Sequence, residues 1–269
     1  MNFDFAEKEK GLCDKIRALF DPDAEGALRQ LKSEDPQHSR GLLLHWMQRL
    51  GPTGFLNLGL EDGKNSPGLV AAQESLAAIA PSLFLSVEVS ARVFGRLISV
   101  YGTPEQRAEI LPAIGEGRLI GTVGLSELGM NIENNPLQTT GVLRDEGFHV
   151  SGKKCHVMNA PVADFIAVAG RVKDRTAFFL VEKGSEGLLA GERIPTLGYE
   201  GVIISSISLE NCLVPSKSLI GPFEDTEALK AVRTWEDQVL TAASLGLMKS
   251  SFDAALKYAK VHKSGDKPT

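Results

Sequence analysis

Cysteine is scarce. The 269 residues hold three, Cys13, Cys155 and Cys212, odd in number and far apart, so neither a disulfide framework nor a CxxC metal site can be drawn. That usage points to a reducing compartment, the cytoplasm. Long apolar runs are missing as well: the richest region, 69–89, is broken by Gln73, Glu74, Ser75, Pro81 and Ser82, short of the roughly 18 apolar residues that span a bilayer. No membrane segment is expected. The amino terminus opens with Asn2, Asp4, Glu7, Lys8 and Glu9, which reads as the opposite of a secretory signal. An excess of positive charge is also lacking, with 29 Lys+Arg against 34 Asp+Glu and a formal charge of −5. Binding to a nucleic-acid backbone is therefore not expected.

Several catalytic signatures are absent too. No Gly-x-Ser-x-Gly elbow occurs, and Gly115, Gly117 and Gly121 precede a strand instead of opening a helix after one, so no phosphate-cradling loop is read. His38, His45, His149, His156 and His262 lack i, i+4 metal-ligand partners. What is present is a chain 43% hydrophobic and 23% charged, with 27 Gly and 13 Pro, the profile of a soluble globular protein of one or two domains.

Periodicity divides the chain into three parts. Phe5, Leu12, Ile16, Leu19 and Phe20 recur at near-helical spacing, and Leu43, Leu44, Met47 and Leu50 do so before Gly51. Pro67 opens a stripe through Leu69, Val70 and Leu76, and Phe84, Val87, Ala91, Phe94, Leu97 and Tyr101 form another. Thr103-Pro104-Glu105-Gln106 reads as a cap, a first-turn proline and a capping-box glutamine. From Ile120 the period changes, and 119–126, 148–150, 165–168, 177–181 and 202–209 are β-rich between turn signals. Close spacing without intervening helices predicts an antiparallel barrel or sandwich. After Pro222 a helical pattern returns through Val232, Trp235, Val239, Ala243, Gly246 and Phe252. The expected fold class is α+β: a helical domain over 1–119, a β middle domain over 120–222, and over 223–269 the first long helix of an incomplete helical domain.

Local chemistry leaves two candidates open. Leu125-Ser126-Glu127-Leu128-Gly129 is a strand running into a turn, where hydroxyl and carboxylate can serve backbone donors. Glu236, beside Trp235, reads equally as a solvated helix carboxylate.

Beyond periodicity, the ordered stretches Tyr101–Arg107 with Leu111-Pro112 and Gly117, Gly121 through Glu127, Gly152-Lys153-Lys154 through Asn159, Leu197-Gly198, Val214-Pro215, Leu219-Ile220-Gly221 and Leu245-Gly246-Leu247 resemble the acyl-CoA dehydrogenase family of flavoproteins over about 49–268. The resemblance implies α,β-dehydrogenation of an acyl-CoA thioester. A glutamate takes the α proton, donors stabilise the enolate, and FAD accepts the hydride. One branch of the family places that glutamate on the first long helix of the last domain, and aligning Leu245-Gly246-Leu247-Met248 puts Glu236 there. It further implies that Leu125 and Ser126 lie against the flavin, with His156, Val157 and Met158 along the ring.

Asn131 and Ile132 occupy a substrate-contact position, where the usual Gly-Ser-Asp reads Asn131-Ile132-Glu133. Met158 replaces a hydroxyl, His156 a larger stacking ring, and His262 to Asp266 stand where a phosphate-binding arginine is usual. These departures leave a second reading: a thioester-binding or scaffolding relative that has lost the flavin site. Because the resemblance implies a larger helical bundle, association is expected, with a second copy or with a longer homologue.

Overall fold

Most helices of the amino-terminal part begin at a capping residue or a proline. In the computed structural model, which describes residues 7–20, 31–33, 35–60, 66–129, 136–144, 147–264 and 267–268, α1 (Glu7–Arg17) is followed by α2 (Pro36–Leu50), capped by the Asp35 side chain accepting from Gln37 N. Ser66 caps α3 (Pro67–Ile79) through the Leu69 amide. Thr103 and Gln106 cap α6 (Pro104–Gly115) reciprocally, as the capping-box spacing predicts. Between them, α4 (Pro81–Glu88) and α5 (Gly95–Tyr101) are joined by a π-helical segment, Val89–Phe94. The single stripe expected from Phe84 to Tyr101 is thus one rod with a widened middle. These helices bury Trp46, Met47, Phe55, Phe84 and Phe94 almost completely, each contributing about 1.5–3 kcal/mol.

The strands are β1 (Gly121–Gly124), β2 (Thr140–Arg144), β3 (Gly147–Met158), β4 (Phe165–Val172), β5 (Arg175–Glu182), β6 (Leu188–Arg193), β7 (Ile204–Val214) and β8 (Leu219–Phe223). They form one sheet in the order β6-β7-β3-β2-β4-β5-β8, with β1 on β4. Most pairs are antiparallel, but β1 runs parallel to β4, and Thr140 meets Arg171 in a parallel pairing. The purely antiparallel expectation is corrected there: β1 and β4 both leave the side where Asp164 accepts from the Ile120 amide, so they run the same way. β3 is far longer than 148–150, because it is hydrogen-bonded to β2 along its first half and to β7 along most of its length. Three strands, β2, β6 and β8, fall outside the β-rich stretches of the sequence.

The long helix α7 (Glu227–Val261) lies across the helical part, and a short antiparallel pair, Lys263–Ser264 with Lys267–Pro268, follows it. Its inward face carries Val232, Trp235, Val239, Ala242, Ala243 and Gly246. A Cβ at Gly246 would overlap Ala77 of α3, so glycine is what permits this close crossing. Among the described residues no helix is long and apolar enough to cross a membrane.

Candidate functional site

All four residues of β1 are buried. The strand is pinned at its start: Gly121 N donates to Ser90 Oγ of the π segment at 3.0 Å, and Ile120 N to Asp164 Oδ2 at 2.9 Å. Asp164 is itself held by Arg40 at 2.7 Å. β1 therefore delivers Leu125, Ser126 and Glu127 at a fixed place beside β3.

Leu125 is 3% exposed and belongs to the core. Ser126 is partly exposed, its carbonyl accepts from Cys155 N at 2.9 Å, and its hydroxyl makes no hydrogen bond to another described residue. Glu127 accepts from Gln138 N at 2.6 Å, Thr139 N at 3.0 Å, Thr139 Oγ1 at 2.6 Å and Lys154 Nζ at 2.6 Å. Lys154 Nζ also donates to the Leu125 carbonyl at 3.2 Å. The reading in which this stretch serves backbone donors thus holds for the Glu127 carboxylate, while the Ser126 hydroxyl is left over.

The Lys154 side chain is fully buried. Burial pushes its pKa down to about 8, with the Glu127 carboxylate opposing the fall. For Glu127, burial alone would raise the pKa, but the hydrogen bonds from Lys154, Thr139 and Gln138 outweigh it and hold the carboxyl below its ordinary value.

The register of β3 on β7 shifts between Lys154 and Val157, and His156 sits in that bulge with φ at 55°. Its side chain is exposed. Val157, at 2% exposure, points into the core, and Met158 is partly buried with its carbonyl accepting from Thr122 Oγ1 at 2.6 Å. Asn159 closes the segment, donating from N to Ile203 O at 2.7 Å and from Nδ2 to Ser86 O at 2.8 Å. Next to this edge is a cavity of about 450 Å³ lined by Leu128, Lys153, Lys154, Cys155, Ser206 and Ser208, among others.

Glu236 stands on α7, its side chain 21% exposed and 3.6 Å from Arg233. Burial raises its pKa to about 7; Arg233 lowers it, and the neighbouring Asp237 raises it further. Trp235 beside it is buried and packs 6.3 Å from the Tyr101 ring. Two residues on, Gln238 accepts from Arg96 Nη1 at 3.0 Å, fixing the turn of α7 that carries the carboxylate. The structure therefore brings Leu125, Ser126 and the 154–158 segment together. Among the described residues, no hydrogen bond or ion pair links Glu236 to them. Asn131 and Ile132 lie outside the described residues.

Two groups were not anticipated from the sequence. One is the Glu127–Lys154 pair. The other is a buried polar cluster in which Gln73 Nε2 donates to Glu88 at 2.6 Å and Arg92, 3.4 Å from Glu88, donates to the carbonyls of Phe55 and Leu56. Burial drives the Glu88 pKa up and the Arg92 pKa down. The i, i+4 spacing of two charges within an apolar helix is the signal that could have disclosed this cluster.

Residues 122–212 match the family model described as acyl-CoA dehydrogenase, middle domain. Over 277 residues the chain is 24% identical to benzylmalonyl-CoA dehydrogenase of Aromatoleum aromaticum, covering 100% of the chain and 72% of that protein. It is 30% identical over 173 residues to cyclohexane-1-carbonyl-CoA dehydrogenase of Geobacter metallireducens, covering 62% of the chain and 45% of the relative. Among solved structures, a glutaryl-CoA dehydrogenase from Mycobacterium smegmatis in complex with FADH2 superimposes with a TM-score of 0.85 at 21% identity, covering 98% of the chain and 68% of that structure. At that identity the likeness concerns the fold.

Proposed function

The chain belongs to the acyl-CoA dehydrogenase family, and from that premise we propose that it acts in α,β-dehydrogenation of an acyl-CoA or related acyl thioester, with Glu236 as the base. The observation that carries this reading is the partly buried Glu236 carboxylate, whose pKa of about 7 suits proton abstraction near neutrality. Burial raises the basicity of the carboxylate above that of a solvated glutamate, and Arg233 at 3.6 Å opposes that rise. After abstraction the proton rests on Glu236.

Two observations favour a fit for FAD. The Ser126 hydroxyl is partly exposed without a partner among the described residues, and the His156 ring is held outward by its bulge. In this reading Ser126 donates a hydrogen bond to the flavin and His156 stacks on it, while Met158 offers a polarisable, non-donating surface. Leu125 and Val157 have buried side chains, so they contribute through backbone groups. When bound, the flavin supplies the acceptor for the hydride leaving the β carbon. Asn131 and Ile132 are assigned to the substrate side by the resemblance alone.

The test is reconstitution with FAD followed by assay of enoyl-thioester formation. The expected outcome is stoichiometric flavin and turnover that vanishes in Glu236→Gln while flavin stays bound. A second reading, a thioester-binding or scaffolding relative without flavin, is favoured by Met158, which cannot donate, and by the hydrogen bond from Cys155 to Ser126 that closes the gap between their backbones. Failure of the wild-type protein to take up FAD selects it. Association with a second copy or a longer homologue is supported by the exposed Leu240, Met248, Phe252 and Leu256 on α7, and native mass spectrometry reads the assembly mass.

A further inference from the structure

We propose that Glu127 and Lys154 form a clasp that positions the Ser126 hydroxyl and the His156 bulge for a flavin ring, which makes both of them positioning residues of the cofactor edge. This inference rests on the flavin reading above and adds to it two residues 27 positions apart. Three consecutive residues on one side are tied to two on the other: Leu125 O to Lys154 Nζ at 3.2 Å, Ser126 O to Cys155 N at 2.9 Å, and Glu127 Oε1 to Lys154 Nζ at 2.6 Å. The carboxylate also gathers Gln138 N, Thr139 N and Thr139 Oγ1, so it ties the end of the β1 stretch to the residues that lead into β2.

Neither charge is available to a ligand in the usual way. The lysine side chain has no exposed surface, and the carboxylate accepts from four donors already. Their action runs through neighbours: Ser126 sits between the two tied residues Leu125 and Glu127, and His156 follows Lys154 by two. A buried ion pair is a poor device for stability alone, since well-packed apolar residues of similar volume are often as stabilising. What it does supply is geometry, because a short charge-assisted bond fixes separation and direction more tightly than apolar contact.

The experiment compares Lys154→Met, Lys154→Arg and a control, Gln106→Ala, which breaks the capping box of α6 and the Gln106 bond to the Lys217 carbonyl, in a different part of the fold. FAD titration is followed by quenching of flavin fluorescence, and thermal unfolding is measured on the same samples. The expected result is an FAD affinity at least tenfold weaker for Lys154→Met, recovered to within threefold by Lys154→Arg, and unchanged in Gln106→Ala at a comparable loss of melting temperature. If Lys154→Met does not fold, Glu127→Gln, which keeps an acceptor for the Gln138 and Thr139 amides, is measured in its place against the same criteria. A folded variant that binds FAD within twofold of wild type overturns the clasp and leaves the flavin reading standing. Equal loss in the Gln106→Ala control overturns it as well. Wild-type protein that takes up no FAD is a separate result, which overturns the flavin reading and the clasp with it.

Discussion

Cys155 donates its backbone N–H to the carbonyl of Ser126 at 2.9 Å, which joins the end of β1 to the bulged stretch of β3. The bond leaves no slot between these two backbones. A planar ligand must then lie against their common edge, where Ser126 and His156 are exposed to different degrees. The carbonyl of Ser126 is used up by the contact, and the hydroxyl is not.

From this comes a prediction for Ser126→Ala. The hydroxyl holds nothing among the described residues, so removing it should change unfolding free energy by no more than about 0.5 kcal/mol. If the hydroxyl donates to the flavin, the net loss of one hydrogen bond, about 0.5–1.5 kcal/mol, weakens FAD roughly two- to tenfold. Urea unfolding and flavin titration on the same variant measure the two quantities separately. A large stability loss with unchanged affinity is the opposite outcome.

Glu236 gives a prediction in pH. Its folded pKa of about 7 lies above the ordinary 4.5, so the unfolded chain gives up this proton first as pH rises. This group's contribution to stability is therefore fully present below about pH 4.5, declines between there and 7, and is absent above. The total is about 3 kcal/mol. Glu236→Gln should be the more stable protein at pH 8 and lose most of that advantage at pH 4.5, read from urea unfolding at both values. Activity in the wild type should rise with pH through an apparent pKa near 7, since only the carboxylate accepts the α proton.

Sequence made the local features legible and the long-range ones only partly so. The Thr103–Gln106 capping box and the prolines at helix starts are decided within four residues, and the structure has them where the spacing puts them. β3 extends to Met158 because β2 and β7 both bond to it, which no window of sequence contains. Period two does place Lys154 on the face of Phe148 and Val150, so an inward lysine could have been read there; its partner Glu127 could not. The π segment is similar: the spacing of Glu88 and Arg92 in an apolar helix signals a pair, but their partners Gln73, Phe55 and Leu56 come from elsewhere in the chain and lie outside any local window.

That burial makes a prediction for the cluster. Removing one partner, as in Arg92→Met, breaks the buried ion pair and leaves the Phe55 and Leu56 carbonyls without their donor, and should destabilise by about 3–5 kcal/mol. The double variant Glu88→Leu/Arg92→Met removes both charges and should recover much of that loss. A double-mutant cycle by urea unfolding measures the coupling. Additive costs would mean that the two side chains act independently.

Gly121 tests whether the helical part sets the position of the site. A Cβ there would overlap the Phe94 ring of the π segment, and the Gly121 amide is bonded to Ser90 two helical positions after Glu88. Gly121→Ala must push β1 and the π segment apart, a small-to-large change costing about 1–3 kcal/mol. Because β1 leads directly into Leu125 and Ser126, the same shift reaches the Cys155–Ser126 bond. Gly121→Ala should therefore raise amide hydrogen exchange at Cys155, and Phe94→Leu in the same chain should reverse part of the change by making room for the methyl group. If exchange at Cys155 stays at its wild-type rate while stability falls, the end of β1 is held by the sheet and by Lys154 alone, and the helical part plays no role in placing Ser126.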